Sequence, residues 1–344
     1  MAINPPARLK KYSRVAFSYA VALACLAWIF RDVAVRDIAH SATGLKWGLI
    51  AAGIGFDVLS YVFQALRWAE LLRPVGRPSL ARLVQAIYAG LLTSEMLPMR
   101  LGELVRAYLV SRTMAVGLVS ALPSMAVERL LDAIWLALAL GLLAFLSPLP
   151  KGLVRLADVF GSLVGILTLT FLFIVIRARS TAGDTSAAAR SRGPILDPVV
   201  RAVRFAVVET GKIRLNRSFC KASLFSLLLL ASQALSFWLV IRASGTSLTF
   251  FAGAAVMLIV RLGTAVPNAP ANVGSYQFFC VIGLQMFGID KPRAAGLSFL
   301  IFLVLTAPLW LLGWIALARS ELSLSQIRKG LIRAKAQLEE ARRC

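Results

Sequence analysis

Histidine is all but missing from this chain: His40 is the only one in 344 residues. A catalytic relay or metal centre built on histidine is therefore nearly excluded. Cysteine is scarce and scattered. Cys25, Cys220, Cys280 and Cys344 make no C-x-x-C pair, and three of them sit in or beside apolar stretches. Neither a disulfide framework nor a zinc site is implied. No Walker-type phosphate loop and no dinucleotide fingerprint occurs, which removes two common nucleotide-binding designs. No cofactor and no metal are expected. Acidic residues are few, 16 against 38 Lys and Arg, for a formal charge of +22. In a soluble protein that excess would point to nucleic acid. Here the basic residues collect in loops and tails, as in the cytoplasmic loops of membrane proteins, and no nucleic-acid partner is expected.

What is abundant is apolar: 59% of residues are hydrophobic and only 16% charged, well beyond a soluble domain. The apolar residues come in blocks of about 20, the length that spans a roughly 30 Å hydrocarbon core. The fold class read from this is an all-α polytopic membrane protein. Arg8, Lys10, Lys11 and Arg14 precede a first span, Val15 to Phe30, with its N-terminus inside. No small-residue cleavage site follows it near Arg31-Asp32, so it reads as uncleaved rather than as a signal peptide. Trp47 to Leu66 returns to a basic cytoplasmic loop with Arg67, Arg73, Arg77 and Arg82. Leu83 to Leu97 and Leu104 to Pro123 are short apolar pieces broken around Pro98 and Gly102. Ala126 to Leu146 and Leu156 to Ile176 are full spans, followed by a basic loop, 177–221, in which Thr181 to Gly193 is low in complexity. Ala222 to Ile241 and Ala294 to Ala318 are full spans. Between them, Leu248 to Val266 and Val273 to Phe287 are broken at Pro267, Pro270 and Gly274.

Two architectures fit. In one, about six full spans carry two Pro/Gly-broken re-entrant hairpins, in corresponding positions of two oppositely oriented halves. That is the sequence mark of an inverted repeat whose site lies where the broken pieces meet. In the other, eight ordinary transmembrane helices are kinked by proline. Either way, residues 1–318 form the membrane domain and 319–344 a basic tail. Leu324, Ile327, Leu331 and Leu338 give that tail the spacing of an amphipathic helix on the inner leaflet. Both termini and the 177–221 loop are expected in the cytoplasm, with anionic inner-leaflet lipids as partners of loop and tail. Trp28, Trp47, Trp68, Trp310 and Trp314 read as interface anchors near span ends.

The charges near apolar flanks are the candidate site. A charge at the centre of a transmembrane helix costs roughly 2.5–3.5 kcal/mol on insertion scales, so such residues mark function or a buried pair. Around the first break stand Glu95, Arg100, Glu103 and Arg106, with Glu103 and Arg106 spaced to pair on a helix. The planar forks of Arg100 and Arg106 suit a lipid phosphate. A cytoplasmic turn held by its own salt bridges reads equally well. Glu128, Arg129 and Asp132 open the next span. Arg129 and Asp132 can pair, and the remaining acid calls for Arg100 or Arg106 across the bundle. The alternative is a pair of interfacial acids at a helix N-terminus, where the macrodipole favours them. Asn268, Asn272 and Gln277 at the second break could line a cavity with amides or belong to a periplasmic turn, with Arg261 the strong charge nearby.

Leu97-Pro-Met-Arg-Leu-Gly-Glu-Leu-Val-Arg106, then Glu128-Arg-Leu-Leu-Asp132, then Pro267-x-x-Pro-x-x-x-Gly274 resembles the flippase-like transmembrane domain family. This is the membrane region of lysylphosphatidylglycerol synthases and of their stand-alone relatives. Members often carry an acid shortly after the last glycine, where this chain has Gln277. The resemblance implies the membrane module without the soluble aminoacyl-transferase domain. It further implies a bacterial inner-membrane protein that handles a polar or lipid-linked envelope lipid between leaflets, with membrane lipids as its partners. The other function class is a membrane enzyme, or an accessory subunit working with enzymes of hopanoid, glycolipid or aminoacyl-lipid synthesis. Against an enzyme stands the lack of any motif pairing a nucleophile with a base.

Overall fold

The computed structural model describes residues 7–31, 44–73, 76–96, 102–114, 118–146, 155, 158–166, 168–170, 217–265 and 270–320. Among these residues there is no strand, as the all-α reading requires. The helices are α1 (Ala7–Phe30), α2 (Trp47–Leu72), α3 (Leu80–Met96), α4 (Gly102–Met114), α5 (Leu118–Leu146), α6 (Arg217–Ala243), α7 (Phe250–Gly263), α8 (Ser275–Met286) and α9 (Lys291–Ala318). A 3₁₀ turn, Pro270–Asn272, stands before α8. The 177–216 loop and the tail from 321 lie outside the described residues.

Among the described residues, three helices are long and apolar enough to cross a membrane: α2, α6 and α9, with 26, 27 and 28 residues. At 1.5 Å per residue each exceeds the roughly 30 Å hydrocarbon core. The helices beside the two breaks are shorter, 17 and 13 residues for α3 and α4, 14 and 12 for α7 and α8. None of these four reaches the roughly 20 residues a span needs. Large apolar side chains stand exposed along Leu138, Leu142 and Phe145 of α5 and along Leu303, Leu311 and Trp314 of α9. Such a surface suits hydrocarbon rather than water. The protein is a helical integral membrane protein.

The chain divides into two compact units, each assembled from separated segments. Unit one comprises residues 1–60, 88–103 and 231–316; unit two comprises 61–87, 104–230 and 317–344.

In unit one, small residues let helices approach closely, the usual device where hydrophobic attraction between helices is weak. A Cβ on Gly102, at the start of α4, would stand 1.8 Å from the Gly90 carbonyl oxygen and 2.3 Å from Ser94 Oγ on α3. The start of α4 is therefore seated against the end of α3. Gly263 on α7 faces the Phe279 ring of α8 in the same manner, and Gly283 faces Val256. Thr249 starts α7, its hydroxyl accepting from the Ala252 N–H at 3.3 Å. Ahead of α8, Ala271 and Asn272 have φ of 56° and 51°, and Gly274 has φ of 87°. A side chain on Gly274 would also meet the Ala22 carbonyl at 2.4 Å, so both backbone and space demand glycine there. Lys291 Nζ donates to the Trp28 carbonyl at 2.9 Å and lies 4.0 Å over the Trp28 ring. That satisfies a carbonyl at the end of α1 which has no partner within its own helix.

In unit two, Leu71, Val127, Leu131 and Ala222 form a buried cluster with Phe219 against it. Two expectations change here. The second short piece does not run to Pro123; α4 stops at Met114 and α5 starts at Leu118. Pro123 lies inside α5 without ending it, because a proline removes one backbone hydrogen bond and membrane helices absorb that loss. Glu128 therefore stands ten residues into α5, beyond reach of the helix-terminal dipole, which rules out interfacial acids at a helix start. The second change concerns Arg67. It is not a loop charge but a buried residue of α2.

Candidate functional site

The charged residues of unit two meet around Glu128, which is wholly buried. Its two carboxylate oxygens take two different arginines. Arg67 Nη2 donates to Oε1 at 2.6 Å, and Arg106 Nη2 donates to Oε2. Arg67 Nη1 binds Asp132 Oδ1 and lies 3.3 Å from Ser226 Oγ. Glu128 and Asp132 are one helical turn apart, so a single planar fork on α2 spans both, a geometry that lysine cannot reproduce. The Arg106 guanidinium also lies 4.1 Å over the ring of Trp68. Trp68 Nε1 donates to Ser124 Oγ at 3.1 Å. Trp68 is thus no interface anchor; it is fully buried and forms one wall of the site.

The cluster opens on one side. Arg129 Nη1 lies 3.3 Å from Asp132 Oδ2, with side chains 49% and 26% exposed. Among the described residues, three guanidiniums, of Arg67, Arg106 and Arg129, meet two carboxylates, and Arg129 is the most exposed of the three.

Unit one holds a second polar group. Asp57, ten residues into α2, is buried. Arg261 on α7 belongs to the same unit. Arg261 Nη2 donates to Gln233 Oε1 on α6.

Of the residues singled out in the sequence, Arg106, Glu128, Arg129 and Asp132 come together. Glu103 is half-buried in the first turn of α4, where a carboxylate suits the helix dipole. Gln277 is buried, and its Oε1 accepts the Gly274 N–H at 2.7 Å. Asn272 accepts at its carbonyl from Ser275 Oγ at 3.0 Å. These two close the turn into α8. Pro270 opens the 3₁₀ turn. Pro98, Arg100, Pro267 and Asn268 lie outside the described residues.

Arg67, Asp57 and Gln233 were not among the sequence candidates. Arg67 stands just past the apolar run that ends at Leu66, so it reads as the first charge of a cytoplasmic loop. Asp57 carried a usable signal, a lone carboxylate inside an apolar stretch. No curated protein matches the chain. The model of the lysylphosphatidylglycerol synthase TM region matches residues 15–313, and the chain belongs to that family, whose members are membrane proteins involved in lipid handling.

Proposed function

We propose that this protein moves a lipid with an anionic headgroup between the leaflets of a bacterial inner membrane, both termini being cytoplasmic. The broken pairs α3–α4 and α7–α8 act as the re-entrant hairpins of an inverted repeat. The observation that carries the reading is the gathering of three arginines around Glu128 and Asp132 within an apolar helical protein. Arg67 and Arg106 are held by Glu128 and give the cluster its shape. Arg129, half in solvent beside Asp132, is the cation that receives the headgroup, while the acyl tails remain in lipid. Membrane lipids are the partners; a lipid-synthesis enzyme would supply the substrate.

The test is reconstitution of the purified full chain in liposomes with fluorescent phosphatidylglycerol in both leaflets. Dithionite quenches the outer leaflet only. The expected result is loss of nearly all fluorescence with the protein and about half without it, with slower exchange in Arg129→Gln. No difference from empty liposomes would refute transport of this lipid. Chemical conversion of the lipid, seen on chromatography, would replace the reading with the enzyme alternative.

A further inference from the structure

One end of unit one gathers three exposed cations around a short turn, residues 244–249, between α6 and α7. The Lys46 N–H donates to the Ala243 carbonyl at 3.0 Å, which seats the start of α2 on the end of α6. From the start of α9, Arg293 Nη2 donates to Thr246 Oγ1 at 3.2 Å. The Thr246 and Ser244 hydroxyls share a hydrogen bond of 3.0 Å, and Gly245, at φ 77°, turns the chain between them. Arg242, in the last turn of α6, lies 5.7 Å over the Trp238 ring. Trp238 Nε1 in turn donates to the Leu248 carbonyl at 2.9 Å. Lys46, Arg242 and Arg293 are thus tied to the same turn, and all three are exposed. Residues 242–249 contain no acid. Asp290, three residues before Arg293, accepts the Arg293 backbone N–H at 3.3 Å. Exposed aromatic side chains stand beside the cations: Trp47 next to Lys46, and Phe250 and Phe251 at the start of α7.

Helix electrostatics account for only one of these cations. Arg242 suits the negative end of the α6 dipole. Arg293 stands in the first turn of α9, and Lys46 directly precedes α2. Both are positive helix ends, where an acid would be favoured, and neither helix has an acid in its first turn. In the orientation proposed above this end faces outward, where the positive-inside rule calls for no excess of cations. We propose that Lys46, Arg242 and Arg293 bind the phosphate of an anionic phospholipid in the leaflet at that end. A phosphodiester supplies the negative charge and the acceptor oxygens that exposed ammonium and guanidinium donors around an acid-free turn call for. The aromatic side chains argue for a lipid as its source. An exposed tryptophan adjoining basic residues at the end of a spanning helix belongs at the headgroup level, where lipid phosphates lie. The outward placement rests on the transport reading; the binding itself does not.

The experiment places a fluorophore on Ser247→Cys, an exposed position within the turn. The background is the full chain with Cys220 and Cys344 replaced by serine and Cys25 and Cys280 by alanine. The protein is reconstituted in phosphatidylcholine vesicles, and either phosphatidylglycerol or phosphatidylcholine carrying a quenching nitroxide high on its acyl chain is titrated in. The expected result is quenching by phosphatidylglycerol at a lower mole fraction than by phosphatidylcholine. Lys46→Gln, Arg242→Gln and Arg293→Gln should each weaken that preference about fivefold, whereas Arg293→Lys, which keeps the charge, should retain most of it. A second probe on Leu303→Cys, exposed on α9 and roughly 15 Å along the helix from Arg293, should show no such preference. Equal quenching by the two lipids at Ser247→Cys overturns the proposal, as does an unchanged preference in the folded triple glutamine variant. An equal preference at both probes also overturns it, since the net charge of the protein would then enrich anionic lipid everywhere. Loss of the preference on adding inorganic phosphate at constant ionic strength overturns the lipid assignment. Leaflet exchange is scored separately: preference without exchange sinks transport and leaves the site standing, and exchange without preference does the reverse.

Discussion

Consider Glu128→Gln beside Asp132→Asn. Each removes one negative charge from the same cluster with almost no change in shape. Glu128 is fully buried, and each of its oxygens serves a different arginine. Replacing it leaves Arg106 with the Trp68 ring as its remaining described partner in the cluster. Breaking a buried ion pair from one side costs about 3–5 kcal/mol, because the other charge is left uncompensated. The cation–π contact offsets about 2 kcal/mol at most, and it is present before and after the change. Asp132 is a quarter exposed and shares Arg67 with Glu128, and its second partner Arg129 is half in solvent. Its loss therefore falls toward the cost of a solvent-screened pair, about 1 kcal/mol or less. The two neutralisations should differ by about 2–4 kcal/mol, roughly thirty- to several-hundredfold in the unfolding equilibrium. Denaturant unfolding of the full chain in mild detergent, followed by tryptophan fluorescence, measures this difference. Adding Arg106→Met to Glu128→Gln should recover part of the loss, since it removes the stranded cation and keeps an apolar chain on the indole. Equal costs for the two neutralisations, or a double variant no better than Glu128→Gln alone, would refute the assignment of Glu128 as the keystone of the cluster.

Other perturbations probe other parts of the molecule. Gly102→Ala should lower the melting temperature in detergent by the equivalent of at least 1–3 kcal/mol, about the cost of overpacking; an unchanged melt would show that α4 is not seated on α3. Trp68→Phe keeps an aromatic face under Arg106 but abandons Ser124, for about 1 kcal/mol, whereas Trp68→Leu loses the face too and should cost more; thermal melts rank the two. In a Cys344→Ser background, maleimide should label Cys220 in the folded protein and reach Cys280 only after unfolding, since the first is exposed and the second buried. A cysteine placed at Ser186 should resist impermeant reagents in whole cells, and efficient labelling there would reverse the proposed orientation.

The order of helices was legible because apolar blocks of spanning length are separated by Pro, Gly and basic residues, and that pattern survives in α2, α6 and α9. The start of α5 was not. Pro123 looks like a boundary, and only the helix around it shows that the lost hydrogen bond was absorbed. Arg129 with Asp132 could be read from spacing alone, and the need for a cation from elsewhere followed from counting charges. The identity of every such cation could not follow. Arg67 lies 61 residues from Glu128, and nothing local distinguishes it from the loop arginines Arg73 and Arg77. Asp57 was passed over for another reason: one carboxylate inside the apolar run from Trp47 to Leu66 barely changes an averaged hydropathy.

The pairing of Arg67 with Glu128 also sets a clock on biosynthesis. The arginine leaves the ribosome 61 residues before its acid. At about 5–20 residues per second that interval is roughly 3–12 s. Throughout it, α2 carries, five residues before its end at Leu72, a cation that the mature protein buries against an acid not yet made. Arg106 arrives next and only adds to the imbalance; Glu128 resolves both. Until α5 is synthesised, α2 has reason to stay near the water interface or within the insertion machinery rather than settle at its final depth. A chain interrupted between residues 106 and 128 would carry both arginines without the acid that holds them in the finished protein.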